Sequence, residues 1–198
     1  MSSLTQKIAI FASGGASNAK RIQEFFQNNS SIQVGLLLSN NPKSGIFAQG
    51  PTFKVPTIFL PPKAYRDGAY LTRLLQAHQI ELIVLAGYLK HVPEELVSAY
   101  PDRILNIHPS LLPRHGGKGM YGMNVHHAVI DAGDAYSGIT IHRVNEHYDE
   151  GEVVFQKRLA VAPHWSAVQL QQAVLQLEHK HYPEVVAQYC QQIANSDS

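Results

Sequence analysis

The sequence predicts an α/β protein: a Rossmann-like parallel sheet flanked by helices, with an antiparallel C-terminal addition. Three observations predict it. Short, continuous apolar runs of strand length recur between Lys7 and His108, as expected of strands buried on both faces. Segments with apolar residues at helical spacing lie between several of them. After Tyr136 the pattern changes to alternation over two runs separated by a polar turn, which suits an antiparallel pair at a sheet edge. No repeat, low-complexity tract or linker interrupts the chain. Residues 1–198 are therefore expected to form one domain, with about 1–6 and 194–198 frayed.

Lys7 to Ala12 reads as the first strand, broken by the small residues of Ser13-Gly14-Gly15-Ala16-Ser17. A helix is expected from about Asn18 to Gln27, with Ile22, Phe25 and Phe26 inward and Ser17 or Asn18 as its cap. Ile32 to Leu38 and Thr57 to Leu60 are the next strands, closed by Ser39-Asn40-Asn41-Pro42 and by Pro61-Pro62. Asp67 to Gln79 is helical, with Leu71, Leu74 and Leu75 inward, and Glu81 to Ala86 is a fourth strand halted at Gly87. Pro93 opens a short helix that runs to Ala99. Arg103 to Pro109 contains the fifth strand. Tyr136 to Val144 and Glu152 to Val161 form the antiparallel pair, and Trp165, Val168, Leu170, Val174, Leu177 and Tyr182 mark a long C-terminal helix.

Composition narrows the function. With 198 residues, 44% hydrophobic and 16% charged, the chain can bury a substantial core. A formal net charge of +1 provides no long-range field for nucleic acid or a membrane surface. No apolar run approaches the roughly 20 residues that span a bilayer. Met1 to Gln6 lacks the basic and apolar segments of a signal peptide, and Cys190 is the only cysteine. A cytoplasmic location is expected.

In a parallel sheet, ligands sit at the carboxyl ends of the strands. Asn106 and His108 are two residues apart there and so share a face, opposite Leu105 and Ile107. Such a pair is either catalytic or a buried, mutually satisfied polar pair. Ser13 to Asn18 follows a strand and opens a helix, which exposes backbone N–H groups to an anion; a plain tight turn is the alternative. Neither Gly-x-Gly-x-x-Gly nor Gly-Lys-Ser/Thr is present. Asp149 lies in the polar turn Asn145 to Gly151, solvated or facing the same cleft as His142. Gly116 to Gly122 holds four glycines in seven residues, which suits a mobile or close-approach loop, with a plain surface loop as the alternative. His126, His127, His142 and His147 invite a metal reading. No His-Glu-x-x-His pattern or second cysteine supports one, and no metal is expected. His179 and His181 are read as polar positions on the last helix.

These pieces together resemble the phosphoribosylglycinamide formyltransferase family, the folate-dependent transformylases of purine synthesis, over Ile8 to about Val186. The most specific piece is Asn106-Ile107-His108-Pro109-Ser110-Leu111-Leu112-Pro113, shared across the formyltransferase superfamily, and the spacing to Ser137–His142 and Asp149-Glu150-Gly151 also matches. The resemblance implies the formyltransferase fold. It implies transfer of the formyl group of 10-formyltetrahydrofolate to the amino group of glycinamide ribonucleotide (GAR). Asn106 and a protonated His108 would act on the formyl carbonyl, with Asp149 as the essential carboxylate and His142 supporting them. Ser13, Gly14, Gly15, Ala16, Ser17 and Asn18 would bind the substrate phosphate. Tyr88, Leu89, Lys90 and Val92 would line the folate site together with Asn106 and Asp149, and Pro109 and Glu178 would touch the glycinamide substrate. The implied partners are these small molecules, with no nucleic acid or membrane, in a monomer or homodimer.

Two positions depart from the family pattern. Ala16 stands where the family more often has glycine, and Arg114 to Asn124 is longer than the commonest form and rich in Gly, Lys and Met. Two other members of the superfamily are rivals. Methionyl-tRNA formyltransferase carries an extra C-terminal domain for which 198 residues leave no room. Formyltetrahydrofolate hydrolase has an N-terminal regulatory domain and no need of a phosphate loop. A non-catalytic phosphosugar- or folate-binding module would lack Asn106, His108 or Asp149.

Overall fold

A computed structural model describes residues 5–196. In chain order the elements are β1 (Gln6–Phe11), α1 (Ser17–Phe26), β2 (Ile32–Ser39), α2 (Ile46–Phe53), β3 (Thr57–Phe59), α3 (Pro62–Tyr65) and α4 (Gly68–Ala77). There follow β4 (Ile80–Leu85), α5 (Glu94–Ala99), β5 (Ile104–His108), α6 (Met123–Asp131), β6 (Tyr136–Arg143), β7 (Val153–Ala160) and α7 (Ala167–Ser196).

The strands form one seven-stranded sheet in the order β3-β2-β1-β4-β5-β6-β7. Pairing is parallel from β3 across to β5 and antiparallel for β5 with β6 and β6 with β7. The chain begins in the middle, winds outward to β3 and then returns to β4. That reversal opens a crevice between the carboxyl ends of β1 and β4, where α/β sheets bind ligands.

Alternation along each strand divides the core into two layers. Ile8, Ile10, Val84, Leu105 and Ile107 pack on the side of α1 and α7 with Ile22, Val174 and Tyr182. Ala9, Phe11, Leu85 and Ile104 pack on the side of α4 and α5 with Leu71, Leu75 and Leu96. Asn106 and His108 therefore fall on the second side, opposite Leu105 and Ile107, as their spacing requires. Helix α7 is locked across the first layer by Tyr182. Its fully buried hydroxyl lies 3.0 Å from the Leu85 carbonyl and 3.2 Å from that of Leu105.

Several expectations need correction. Helices α2, α3 and α6 are not among the expected elements: α2 contains Gly50 and Pro51, poor helix formers, α3 is a single turn opened by Pro62, and α6 overlaps only the end of the expected Arg114–Asn124 loop and continues into a stretch given no element. Neither Ser17 nor Asn18 caps α1; Ala16 does, in a left-handed conformation (φ 59°, ψ 33°), without a side-chain bond. Phe25 is 47% exposed, because the buried stripe runs through Asn18, Ala19, Ile22, Gln23 and Phe26. Trp165 precedes α7, and Val168 faces solvent. Of the ends expected to fray, Gln6 belongs to β1 and Ala194–Ser196 belong to α7; residues 1–4 and 197–198 lie outside the described residues.

Candidate active site

A cavity of about 410 Å³ opens at the carboxyl ends of β1, β4 and β5. Its walls are Gly14–Asn18, Leu85–Val92 and Asn106–Pro109, with residues of the glycine-rich loop, the Asn145–Gly151 turn and α7 closing the sides. Every site residue expected from the sequence lines it except Ser13. Ser13 gives its N–H to Gly87 and its hydroxyl to Asn40 at 2.6 Å, and that hydroxyl accepts the Leu89 N–H at 2.9 Å. It braces the loop from behind.

The phosphate loop is held by a segment that sequence reasoning missed. Asn41 Nδ2 donates to the Ser13 carbonyl at 2.8 Å, and the Ser44 hydroxyl donates to the Gly14 carbonyl at 3.0 Å. The Gly45 N–H donates to the same Gly14 oxygen, and a Cβ at Gly45 would run into the Gly15 carbonyl. Gly14 and Gly15 themselves have open space where a Cβ would stand. A ligand can thus approach their backbone closely. The Ala16 methyl belongs to the core beside Ile22 and Ile46. At the base of the loop, Asn18 Nδ2 donates to Glu178 Oε2 at 2.6 Å. Burial raises the Glu178 carboxyl to about 7, although the Asn18 amide opposes the shift.

On the opposite wall, β5 and β6 bring together a cluster of amide, imidazoles and carboxylate. Antiparallel pairing sets His142 directly opposite Asn106. His142 Nδ1–H donates to the Arg143 carbonyl at 2.9 Å, which leaves Nε2 to accept one N–H of the Asn106 carboxamide at 3.1 Å. The second Asn106 N–H is not used in that bond. His108 Nε2–H donates to the His115 carbonyl at 2.8 Å, and its Nδ1 lies 3.4 Å from Asp149 Oδ2.

Asp149 comes to the cluster from the far turn, in a left-handed conformation (φ 58°). Its Oδ1 is 3.6 Å from His142 Nε2, and its Oδ2 accepts the Gly117 N–H at 2.9 Å. Gly117 aims this N–H from a left-handed conformation (φ 92°) that favours glycine. Gly151 is constrained by space, since a Cβ there would strike the Arg143 carbonyl.

Electrostatics separates the roles. Burial pulls the His108 ring down, and this outweighs the opposing pull of Asp149 and the His115 carbonyl, so the ring lies below the ordinary histidine value. Burial pushes the Asp149 carboxyl up, but His142, His108 and the Gly117 N–H outweigh it and keep it ionised. His126, on α6, also lines the cavity and was missed as a site residue. Burial is the main cause that holds it down at about 4, and its Nδ1 has no protein partner. Among the described residues, no group of three or more His, Cys, Asp or Glu is arranged to hold a metal ion.

The fold and site together define an α/β protein with an amide–imidazole–carboxylate cluster facing a phosphate-type loop, an arrangement suited to group transfer. The chain belongs to the formyl transferase family, whose pattern matches residues 6–186. It is 43% identical to the chloroplastic phosphoribosylglycinamide formyltransferase of Arabidopsis thaliana, over 94% of this chain and 66% of that protein. It is 34% identical to the phosphoribosylglycinamide formyltransferase of Bacillus subtilis, over 92% of this chain and 94% of that one. The chain therefore spans just under two thirds of its plant relative's length. The crystal structure of glycinamide ribonucleotide transformylase 1 from Symbiobacterium toebii superposes with a TM-score of 0.87 at 27% identity, covering 95% of this chain and 89% of that one.

Proposed function

We propose that the protein transfers the formyl group of 10-formyltetrahydrofolate to the amino group of GAR, yielding formyl-GAR for purine biosynthesis. The observation that carries this reading is the placement of Asn106, His108 and Asp149 on one wall of a cavity whose other end is the phosphate loop. The names of the relatives support the same acceptor. The mixed segment Leu85–Val92, with Leu85, Tyr88, Leu89 and Val92 on the cavity, suits a flat aromatic donor, and the Glu178–Asn18 pair suits the polar acceptor.

10-Formyltetrahydrofolate supplies an already activated formyl group, so the protein's work is to orient, to stabilise charge and to move protons. The spare Asn106 N–H is the donor for the developing oxyanion, and His142 fixes the amide's orientation. His108 begins neutral, with Nε2–H committed to the His115 carbonyl, so Nδ1 is the nitrogen free to accept the proton that the amine must lose. The ring then becomes an imidazolium held between a carboxylate and a carbonyl, able to pass a proton to the leaving folate nitrogen. Burial disfavours the protonated ring that the resemblance implies and Asp149 favours it, so the imidazolium is held best once the proton has arrived. All the lining residues come from one chain, compatible with a monomer or homodimer, and the cytoplasm is the compartment in which we place it.

The test is a spectroscopic folate assay with and without GAR. Formyl release that requires GAR supports the transferase. Release into water at the same rate without GAR would identify a hydrolase.

A further inference from the structure

We infer that Asp134 is a positioning residue for His108, acting through His115. The inference rests on the reading above that His108 serves the reaction.

His108 is held by a backbone carbonyl, that of His115, at 2.8 Å. His115 is a non-glycine residue in the left-handed region (φ 55°), a conformation that persists only where its surroundings enforce it. Those surroundings converge on Asp134. His115 Nε2–H donates to Asp134 Oδ2 at 2.7 Å, and Arg114 Nη2 donates to Oδ1 at 2.6 Å. The carboxylate, 13% exposed, thus holds two consecutive residues of the turn. Asp134 is anchored in turn, because its N–H bonds to the Val129 carbonyl in the turn that ends α6. The start of the same loop is tied by Ser110 Oγ, which donates to the Arg114 carbonyl at 2.7 Å, and by Thr140 Oγ1, which donates to the Ser110 carbonyl at 2.7 Å. A continuous path therefore runs from Asp134 through the His115 ring and carbonyl to His108, and on to Asp149.

Neither Asp134 nor His115 lines the cavity, so neither touches substrate. What they set is the tautomer and plane of the His108 ring: with Nε2–H given to a fixed carbonyl, Nδ1 is turned toward Asp149. The charged and titratable groups facing His108 are Asp149, His142, His126 and the His115 ring. Exposed Arg114 is the cation bonded to the clamp, and Arg158, stacked over Tyr136, lines the adjoining cleft with Asp134.

The test follows the His108 ring directly. The full chain, labelled with ¹⁵N-histidine, is compared with Asp134→Asn, His115→Ala, His115→Gln and Arg114→Ala by imidazole NMR, the His108 signals being assigned from His108→Ala. Wild type should show the neutral ring as the Nε2–H tautomer. Asp134→Asn and His115→Ala should lose that preference and lower kcat roughly 10- to 100-fold, with KM for both substrates within about twofold. His115→Gln, which can still donate to Asp134, should restore the tautomer and most of kcat, and Arg114→Ala should leave the tautomer unchanged. Unchanged tautomer and kcat in folded Asp134→Asn and His115→Ala would overturn the inference. So would a loss of kcat with the tautomer intact, which marks a merely structural role. If Asp134→Asn does not fold, the His115 pair decides alone. Near-normal turnover in His108→Ala would instead remove the reading of His108 itself, a separate failure.

Discussion

The Asn18 carboxamide donates to the Glu178 carboxylate across 2.6 Å, joining the first helix to the last over 160 residues of chain. The contact closes one end of the cavity and leaves Glu178 almost fully buried beside a neutral partner. A carboxylate desolvated in this way retains its proton to unusually high pH.

That retention has a sign. Glu178 releases its proton at about 7 when folded and at 4.5 when unfolded, so the folded state binds more protons between those values. Stability therefore falls as pH rises through that window, by up to about 1.4 kcal/mol per unit. Glu178→Gln should remove this slope and gain stability relative to wild type at pH 8 but not at pH 4.5. Urea unfolding at the two pH values measures it, and an equal effect at both would exclude the account.

His126 should show the opposite slope. Its folded value, about 4, lies below the ordinary 6.5, so the unfolded chain binds the extra proton and stability is lost as pH falls through that interval. His126→Leu forfeits no hydrogen bond at Nδ1, which has no protein partner. The variant should therefore become progressively more stable relative to wild type between pH 6.5 and 4, read by thermal unfolding. A constant difference across that range counts against it.

Asn106→Ala and His108→Ala should bind both substrates but turn over slowly. Loss of one oxyanion donor typically costs about 100- to 1000-fold in kcat, and loss of the proton carrier roughly 100- to 10,000-fold. Steady-state kinetics separates kcat from KM, and near-normal turnover in either variant would dismiss the role given to that residue.

Gly45→Ala tests the phosphate loop from a position outside the cavity. The added methyl meets the Gly15 carbonyl, and backbone must move to admit it. KM for GAR should rise about tenfold, a loss of about 1.4 kcal/mol, with KM for the folate unchanged. A rise in the folate KM alone would contradict this placement of the loop.

Much of the candidate site is legible in the sequence. The spacing of Asn106 and His108 is a property of the strand period, so their shared face followed from local pattern alone. The small residues after β1 likewise announced a turn at the opening of a helix. Helix α6 and the bracing role of Gly45 were not legible: glycine-rich punctuation hid the first, and the second depends on which backbone lies opposite.

By itself, then, the sequence determined the alternating α/β plan, the antiparallel turn-back after Tyr136 and the shared face of Asn106 and His108. Only the tertiary structure decided that Ser13 braces its loop from behind, that Gly117 feeds a bond to Asp149 and that Asp134 reaches His108 through His115. It also decided that burial pulls His108 down against the pull of Asp149, because desolvation depends on the whole surrounding shell. Periodicity and turn chemistry act over a few residues and are written locally. Bonds that close across 19 residues, as from His115 to Asp134, or 32, as from Gly117 to Asp149, exist only once the sheet has brought distant loops to one edge.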